Sequence, residues 1–168
     1  PNELSRLMKI SEKLGILNWE RNKNFSTPFD SNNARPAIYS FDGDVYSGLD
    51  VFNLPKNRIS LMQNSLRILS GLYGILKPLD LIQPYRLEMA TNFPIKNNKN
   101  LYEFWKDKVT SFLNEELEEG ELFVNLASNE YFSVINPRVL NSQVITPQFK
   151  DFKNGTLKII SFYAKKAR

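Results

Sequence analysis

A chain of 168 residues with 42% hydrophobic and 24% charged residues has the composition of one soluble globular domain with a real core. It contains no cysteine and no histidine, which removes disulfides, Cys/His zinc sites, thiol nucleophiles, Ser-His-Asp triads and imidazole bases from the chemistry of these residues. The net charge of +4 is unevenly spread, at +1 over residues 1–60, +3 over 61–100, −6 over 101–130 and +6 over 131–168. Outside the acidic block the balance is +10, which makes a polyanionic partner worth considering; the plainer reading is a set of solvated faces.

In chain order, Leu4, Leu7, Met8, Leu14 and Leu17 at helical spacing predict helix over 2–23, broken near Ser11, which can cap a second helix, or near Gly15. Phe25–Asn33 (FSTPFDSNN) is rich in turn formers and reads as a loop. Short helical or irregular pieces follow over Ala34–Phe41 and Asp44–Phe52. Residues 55–66 read as a helix with Pro55 at an early position, where its missing N–H costs nothing. The strongest helix signal runs over 100–119. Leu101, Phe104, Trp105, Val109, Phe112, Leu113 and Leu117 form one apolar stripe, Asn100 with Glu103 resembles a capping box, and Gly120 stands where a C-terminal glycine belongs. Glu115, Glu116, Glu118 and Glu119 read as its exposed, solubilising face and not as a metal site.

Leu122–Leu126 has strand character, and Ser128 can cap a helix running to Ile135. Gln143–Phe152 and Thr156–Ala164 are apolar or alternating runs on either side of Lys153-Asn154-Gly155, a strong hairpin signal. Helices and strands are interspersed without βαβ alternation, repeats or a linker, so residues 1–168 read as a single mixed α/β (α+β) domain. No run of about 18 apolar residues predicts a membrane span. A cytoplasmic location is the default expectation.

Leu66–Met89 carries the most chemical information. Gly71 and Gly74 interrupt an apolar run, with Arg67 before and Lys77 after. Such a turn either exposes backbone N–H groups at the start of a short helix, as a phosphate-holding helix-hairpin-helix element does, or is a glycine turn inside the core; the spacing G-L-Y-G departs from the usual hairpin. Arg86 and Glu88, on one side of an extended segment, either pair with each other or set Arg86 toward a phosphate. Without histidine, Asp80, Glu88 and Glu130 are the candidates for acid/base or metal-ligand work, with structural salt bridging as the plainer role. Asn125, Ser128, Asn129 and Glu130 follow a strand, where open α/β sheets place ligands, or Ser128 simply caps. Lys165, Lys166 and Arg168 leave an apolar strand and either contact phosphates or begin a solvated helix.

The strings NAR (Asn33–Arg35), GDVYSGL (Gly43–Leu49), LRILSGLYGILKPLDLIQPYRLEM (Leu66–Met89), NLASNEYF (Asn125–Phe132) and KIISFYAKKAR (Lys158–Arg168) together resemble the YaaA family of bacterial peroxide stress resistance proteins. The resemblance implies a cytoplasmic protein of the hydrogen peroxide response that limits intracellular free iron and oxidative damage. It also implies a single-domain "cantaloupe"-type fold with a helix-hairpin-helix-like element, and a basic cleft that binds duplex DNA without strong sequence specificity. Arg35, Gly71, Gly74, Arg86, Lys165, Lys166 and Arg168 are motif positions of that DNA-binding surface, and Arg67 and Lys77 join them because they flank the glycine turn. No cofactor and no resident metal are implied, so the effect on iron is expected to be indirect. Family members begin with a strand bearing an S-P-A-K-T-L motif and continue past K-K-A-R, so the expectation is a central body incomplete at both ends. The alternative is an enzyme acting on a nucleotide or damaged nucleobase, with Asp80, Glu88 or Glu130 as acid/base groups.

Overall fold

A computed structural model describes residues 1–168. The first helical stretch is divided into α1 (Asn2–Met8) and α2 (Glu12–Asn24). The division falls at Lys9, which takes a left-handed φ of 52°, and the Leu14 N–H donates to the Ser11 hydroxyl at 3.4 Å to cap α2. Gly15 lies inside α2 where the two helices meet, since a Cβ there would run into the Ser5 side chain. The remaining helices are short, with α3 at Ala37–Ser40, α4 at Asp44–Leu49 and α5 at Lys56–Ser65, directly after Pro55. The long α6 covers Leu101–Glu116, and α7 (Asn129–Phe132) and α8 (Ser161–Ala167) follow. No helix is long and apolar enough to cross a membrane.

Eight strands form four two-stranded pairs. β1 (Arg35–Pro36) runs antiparallel to β4 (Leu81–Ile82), and β2 (Ile68–Ser70) to β3 (Gly74–Leu76). β5 (Leu122–Val124) and β6 (Gln143–Ile145) are parallel, while β7 (Asp151–Lys153) and β8 (Thr156–Lys158) are antiparallel. Helices and strands alternate irregularly, as expected of a mixed α+β domain.

Of the two readings of Gly71 and Gly74, a helix start and a glycine turn inside the core, the structure has the second, as the turn of the β2–β3 hairpin, with Ile68 opposite Leu76 and Leu69 opposite Ile75. The pleat explains the preference, because this apolar run has two faces to bury. Ile68 and Leu76 join Ala37, Ile38, Val51 and Ile82 in one core cluster. Leu69 and Ile75 pack against the other, which contains Met89, Leu101, Val109, Leu113, Val134, Ile135 and Leu140. The hairpin is therefore a wall shared by both clusters. Each such side chain contributes roughly 1.5–3 kcal/mol when fully buried, so a helical turn there would forfeit one of the two faces.

The turn itself is shaped by close approach. Its Tyr73 N–H donates to the Ser70 hydroxyl at 3.0 Å, and the Trp105 indole N–H of α6 donates to the Gly71 carbonyl at 2.9 Å. A Cβ on Gly71 would run into the Leu87 carbonyl, and one on Gly74, whose φ is +77°, would lie 2.6 Å from the Trp105 ring. Both glycines thus serve packing, and their segment offers no helix N-terminus to a phosphate.

α6 begins as expected, with the Glu103 N–H donating to the Asn100 side chain at 3.0 Å. The reciprocal bond is displaced by one residue, since the Glu103 carboxylate accepts from the Lys99 N–H at 2.8 Å. The helix stops at Glu116, so Gly120 (φ +81°) belongs to the following turn and not to the cap. Ser128 caps α7, which ends at Phe132, short of Ile135. Asn154 (φ 53°) and Gly155 (φ 75°) form the tight turn between β7 and β8. The apolar run beyond it becomes helix α8 and not a strand, because α8 packs on α4 and buries Ala164. Gly48 permits that contact, as a Cβ there would run into the Lys166 backbone.

Gly74→Ala is expected to cost about 2 kcal/mol through φ strain and the collision with Trp105, lowering Tm by roughly 4–8 °C. Gly155→Ala, with a similar φ but open space around it, should cost about half as much. Thermal unfolding followed by circular dichroism checks the ranking; equal losses would contradict the packing role of Gly74.

Candidate functional site

Arg67 and Lys77 stand at the open end of the β2–β3 hairpin, and both reach Glu116 at the end of α6. Arg67 Nε and Nη2 lie 2.6 Å from Glu116 Oε2, and Lys77 Nζ lies 2.5 Å from Oε1. Arg67 Nη1 also donates to the carbonyls of Gln63, Asn64 and Leu66, closing the C-terminal end of α5. With the Arg67 and Glu116 side chains 17% and 22% exposed, this cluster is an internal fastening. Burial pushes the Glu116 carboxyl up, but hydrogen bonds and charge from Lys77 and Arg67 outweigh it and hold the group below its ordinary range. Glu115 on α6, and Glu118 and Glu119 beyond its end, are exposed as expected; Glu116 is instead paired with Arg67 and Lys77.

The other candidate carboxylates are also occupied. Asp80 accepts from the Lys77 N–H at 2.8 Å, which closes the Lys77–Asp80 turn. Arg86 donates to Glu88 Oε1 at 2.6 Å, so these two pair with each other, both about half exposed. Glu130 accepts from the Ala90 N–H at 3.1 Å. The charges of Glu130 and Glu88 both help to push the Tyr131 phenol up, whereas that of Asp80 does not.

Tyrosines organise this region. Tyr46 of α4, Tyr85 beyond β4 and Tyr131 of α7 come from three separate stretches of chain, and their hydroxyls influence one another. Burial is the main cause that pushes each phenol up. Tyr85 reaches about 12 despite the opposing 2.6 Å hydrogen bond with the Ser70 hydroxyl. Tyr131 also reaches about 12, with Tyr85, Glu130 and Glu88 adding to burial and a hydrogen bond to the Met89 backbone opposing it. Tyr46 is pushed upward by burial and by Tyr85 and Tyr131. The rings form a continuous contact: Tyr73 meets Tyr85 edge-on at 5.3 Å, Phe41 meets Tyr85 at 6.2 Å, and Phe41 stacks on Tyr46 at 5.2 Å. At neutral pH these phenols are hydrogen-bond donors and not bases. Sequence reasoning missed them, although each falls within one of the quoted strings, GDVYSGL, QPYRLEM and NLASNEYF.

The C-terminal cations sit beside this region through α4. Lys165 pairs with Asp44 at 3.2 Å, two residues before Tyr46. Lys166 Nζ lies 5.2 Å from the centre of the Phe162 ring, one helical turn back. Arg168 follows α8, its N–H donating to the Ala164 carbonyl at 3.2 Å. Lys165 and Lys166 therefore occupy the last turn of a helix, where cations favour the dipole, and do not trail a strand. Arg35 is exposed on β1, opposite Ile82. Lys150, Lys153 and Lys158 are exposed on and beside the β7–β8 hairpin. Among the ion pairs of the chain, only that of Lys165 involves residues 131–168.

A family model described as peroxide stress protein YaaA matches residues 1–168. The chain is 64% identical over 168 residues to a UPF0246 protein of Flavobacterium psychrophilum and covers 67% of that protein. It is 62% identical to a UPF0246 protein of Flavobacterium johnsoniae, of which it also covers 67%. Against a UPF0246 protein of Idiomarina loihiensis it is 58% identical over 170 residues and covers 66%. All three alignments take in the whole of this chain, which spans about two thirds of the length of these relatives. The chain belongs to the YaaA family.

The raised phenols fix a pH dependence. A tyrosine whose pKa is higher in the folded than in the unfolded chain contributes stability below pH 10 that is lost as pH rises toward 12. Alkaline titration followed by tyrosinate absorbance should find Tyr46, Tyr85 and Tyr131 still protonated at pH 11, with stability falling between pH 10 and 12. Full ionisation of all seven tyrosines near pH 10 in the folded protein would contradict the burial of this cluster.

Proposed function

We propose that this chain is the nucleic-acid-binding body of a peroxide-stress protein, and that it grips the phosphate backbone of duplex DNA without strong sequence specificity. The observation that supports this reading best is the charge of residues 131–168, where seven Lys and Arg residues accompany one Asp and only Lys165 is in an ion pair. Exposed cations without carboxylate partners are free to displace the counterions of a polyanion, which is the source of sequence-independent affinity. Lys150, Lys153, Lys158, Lys166 and Arg168 are the principal contacts under this reading, with Arg35 on β1. Arg86 contributes by exchanging Glu88 for a phosphate. Arg67 and Lys77 act differently, because Glu116 already holds them; they leave one excess positive charge beneath the hairpin. Gly71 and Gly74 shape the hairpin and do not touch the ligand.

Occupying DNA in this manner supports a protective role under peroxide in the cytoplasm, where the DNA lies. An effect on free iron follows indirectly in this reading, since a side-chain set of oxygen ligands without thiol or imidazole is poorly suited to selective Fe(II) capture. The carboxylates favour this binding role over the enzymatic alternative, as Asp80, Glu88 and Glu130 all accept hydrogen bonds within the fold.

The affinity for duplex DNA is expected to fall linearly with salt on logarithmic axes, with a slope of about −0.9 per phosphate contact. The double variant Lys153→Glu with Lys166→Glu should weaken binding by at least about tenfold and reduce the slope by about two contacts. Fluorescence anisotropy on a labelled duplex measures both. An affinity unchanged in that variant would refute the assignment.

A further inference from the structure

The parallel pair β5–β6 is the least self-sufficient part of the fold. Parallel strands pair somewhat less strongly than antiparallel ones and occur almost only in sheets covered on both faces, and even an isolated hairpin is marginal in water. Here neither β5 nor β6 pairs with any third strand. Both outer edges therefore present a row of backbone N–H and C=O groups without a strand partner.

The two faces of the pair are alike in chemistry and unlike in use. The register sets Leu122 against Gln143, Phe123 against Val144 and Val124 against Ile145. Phe123 and Val144 thus share one face, and Leu122, Val124, Ile145 and Gln143 the other. The first face packs on the core cluster that contains Leu113 and Val134, where Phe123 also meets Phe132 of α7 at 6.4 Å. The second is open, with Leu122, Val124 and Ile145 exposed by 55%, 50% and 40%. A strand meant for water on its outer side alternates with polar residues, whereas apolar residues on both faces mark a strand inside a covered parallel sheet.

Length and area together select the occupant. The relatives align with all 168 residues of this chain, and about a third of the length of each lies outside them. We propose that the β5–β6 pair is the docking surface for that flanking polypeptide, which adds at least one strand at a free edge and lays apolar side chains over Leu122, Val124 and Ile145. A separate partner or a second copy would need about 800 Å² on each side for stable association, more than three aliphatic side chains supply. A segment joined to the same chain docks at high effective concentration and needs no such area. The proposal is independent of the DNA-binding reading, which concerns the exposed cations.

The test compares residues 1–168 alone with the same residues carrying the flanking segments of the Flavobacterium psychrophilum relative, any flanking cysteine being replaced by serine. Because residues 1–168 contain no cysteine, Val124→Cys and Ile145→Cys each introduce a single thiol reporter on the open face. In the flanked protein both thiols are expected to react with a soluble thiol reagent at least about tenfold more slowly than in denaturant, while in residues 1–168 alone they react at nearly the denatured rate. Hydrogen exchange of the β5 or β6 amides that point away from the pair should slow by a similar factor when the flanks are present. Exchange is read on the unsubstituted sequence and decides the matter if a thiol variant fails to fold. Slow labelling and slow exchange in a flanked protein that sediments as a monomer support the proposal. Fast labelling and unchanged exchange in the flanked protein overturn it. Slow labelling in residues 1–168 alone also overturns it, as does protection that is lost when a flanked dimer is diluted to monomer, since a second copy then covers the face.

Discussion

One carboxylate holds the centre of this molecule together. Glu116 at the end of α6 receives Arg67 from one side of the β2–β3 hairpin and Lys77 from the other. The opposite end of the same hairpin is held by Trp105, eleven residues earlier on α6, through its hydrogen bond to Gly71 and its ring against Gly74. The helix thus lies along the hairpin and is tied at both ends. Because the hairpin is the shared wall of the two core clusters, whatever loosens it loosens both. The glycines follow from this constraint: a side chain at either would push the turn away from α6 or from the Leu87 backbone.

That arrangement decides which cations lack a carboxylate partner. Sequence position alone gives Arg67 and Lys77 the same standing as Lys166 or Arg168, since all are basic residues beside suggestive motifs. Structure separates them by partner. Two are spent on Glu116, Arg86 on Glu88 and Lys165 on Asp44, while Lys150, Lys153, Lys158 and Lys166 remain without carboxylates. The −6 block over 101–130 is not a neutral diluent in this scheme, because one of its members neutralises the cations at the hairpin while others face solvent. α4 joins the tyrosine cluster to the basic C-terminal helix. Its Tyr46 stacks on Phe41, which also meets Tyr85, and its Asp44 and Gly48 seat the basic helix α8.

Features that depend on neighbours in sequence were legible before the structure. The Ser11 and Asn100 caps, the α6 stripe, Pro55 at a helix start and the Asn154-Gly155 turn are all local, and each appears where its chemistry predicts. The Leu66–Leu76 run was not legible as a hairpin, because apolar residues on two faces lack the alternation that marks a half-buried strand. Thr156–Ala164 read as one strand-like run for a similar reason; only Thr156–Lys158 is strand, and the helical state of Ser161–Ala164 is set by contact with α4, more than a hundred residues away. Glu116 looked like its exposed neighbours because nothing local distinguishes it; its partners are 49 and 39 residues earlier. The tyrosines were missed because their significance lies in convergence, which no single string reveals.

The central claim is that Glu116 fastens the wall between the two clusters. Native-state hydrogen exchange of the wild type and Glu116→Gln at neutral pH tests it most directly, since each backbone amide reports its own opening free energy. The account predicts that protection of the β2–β3 amides falls on the order of tenfold or more in the variant, and that amides in α6 and in the segments of both clusters lose protection with them. Unchanged protection across Ile68–Leu76, with any change confined to the end of α6, would contradict it.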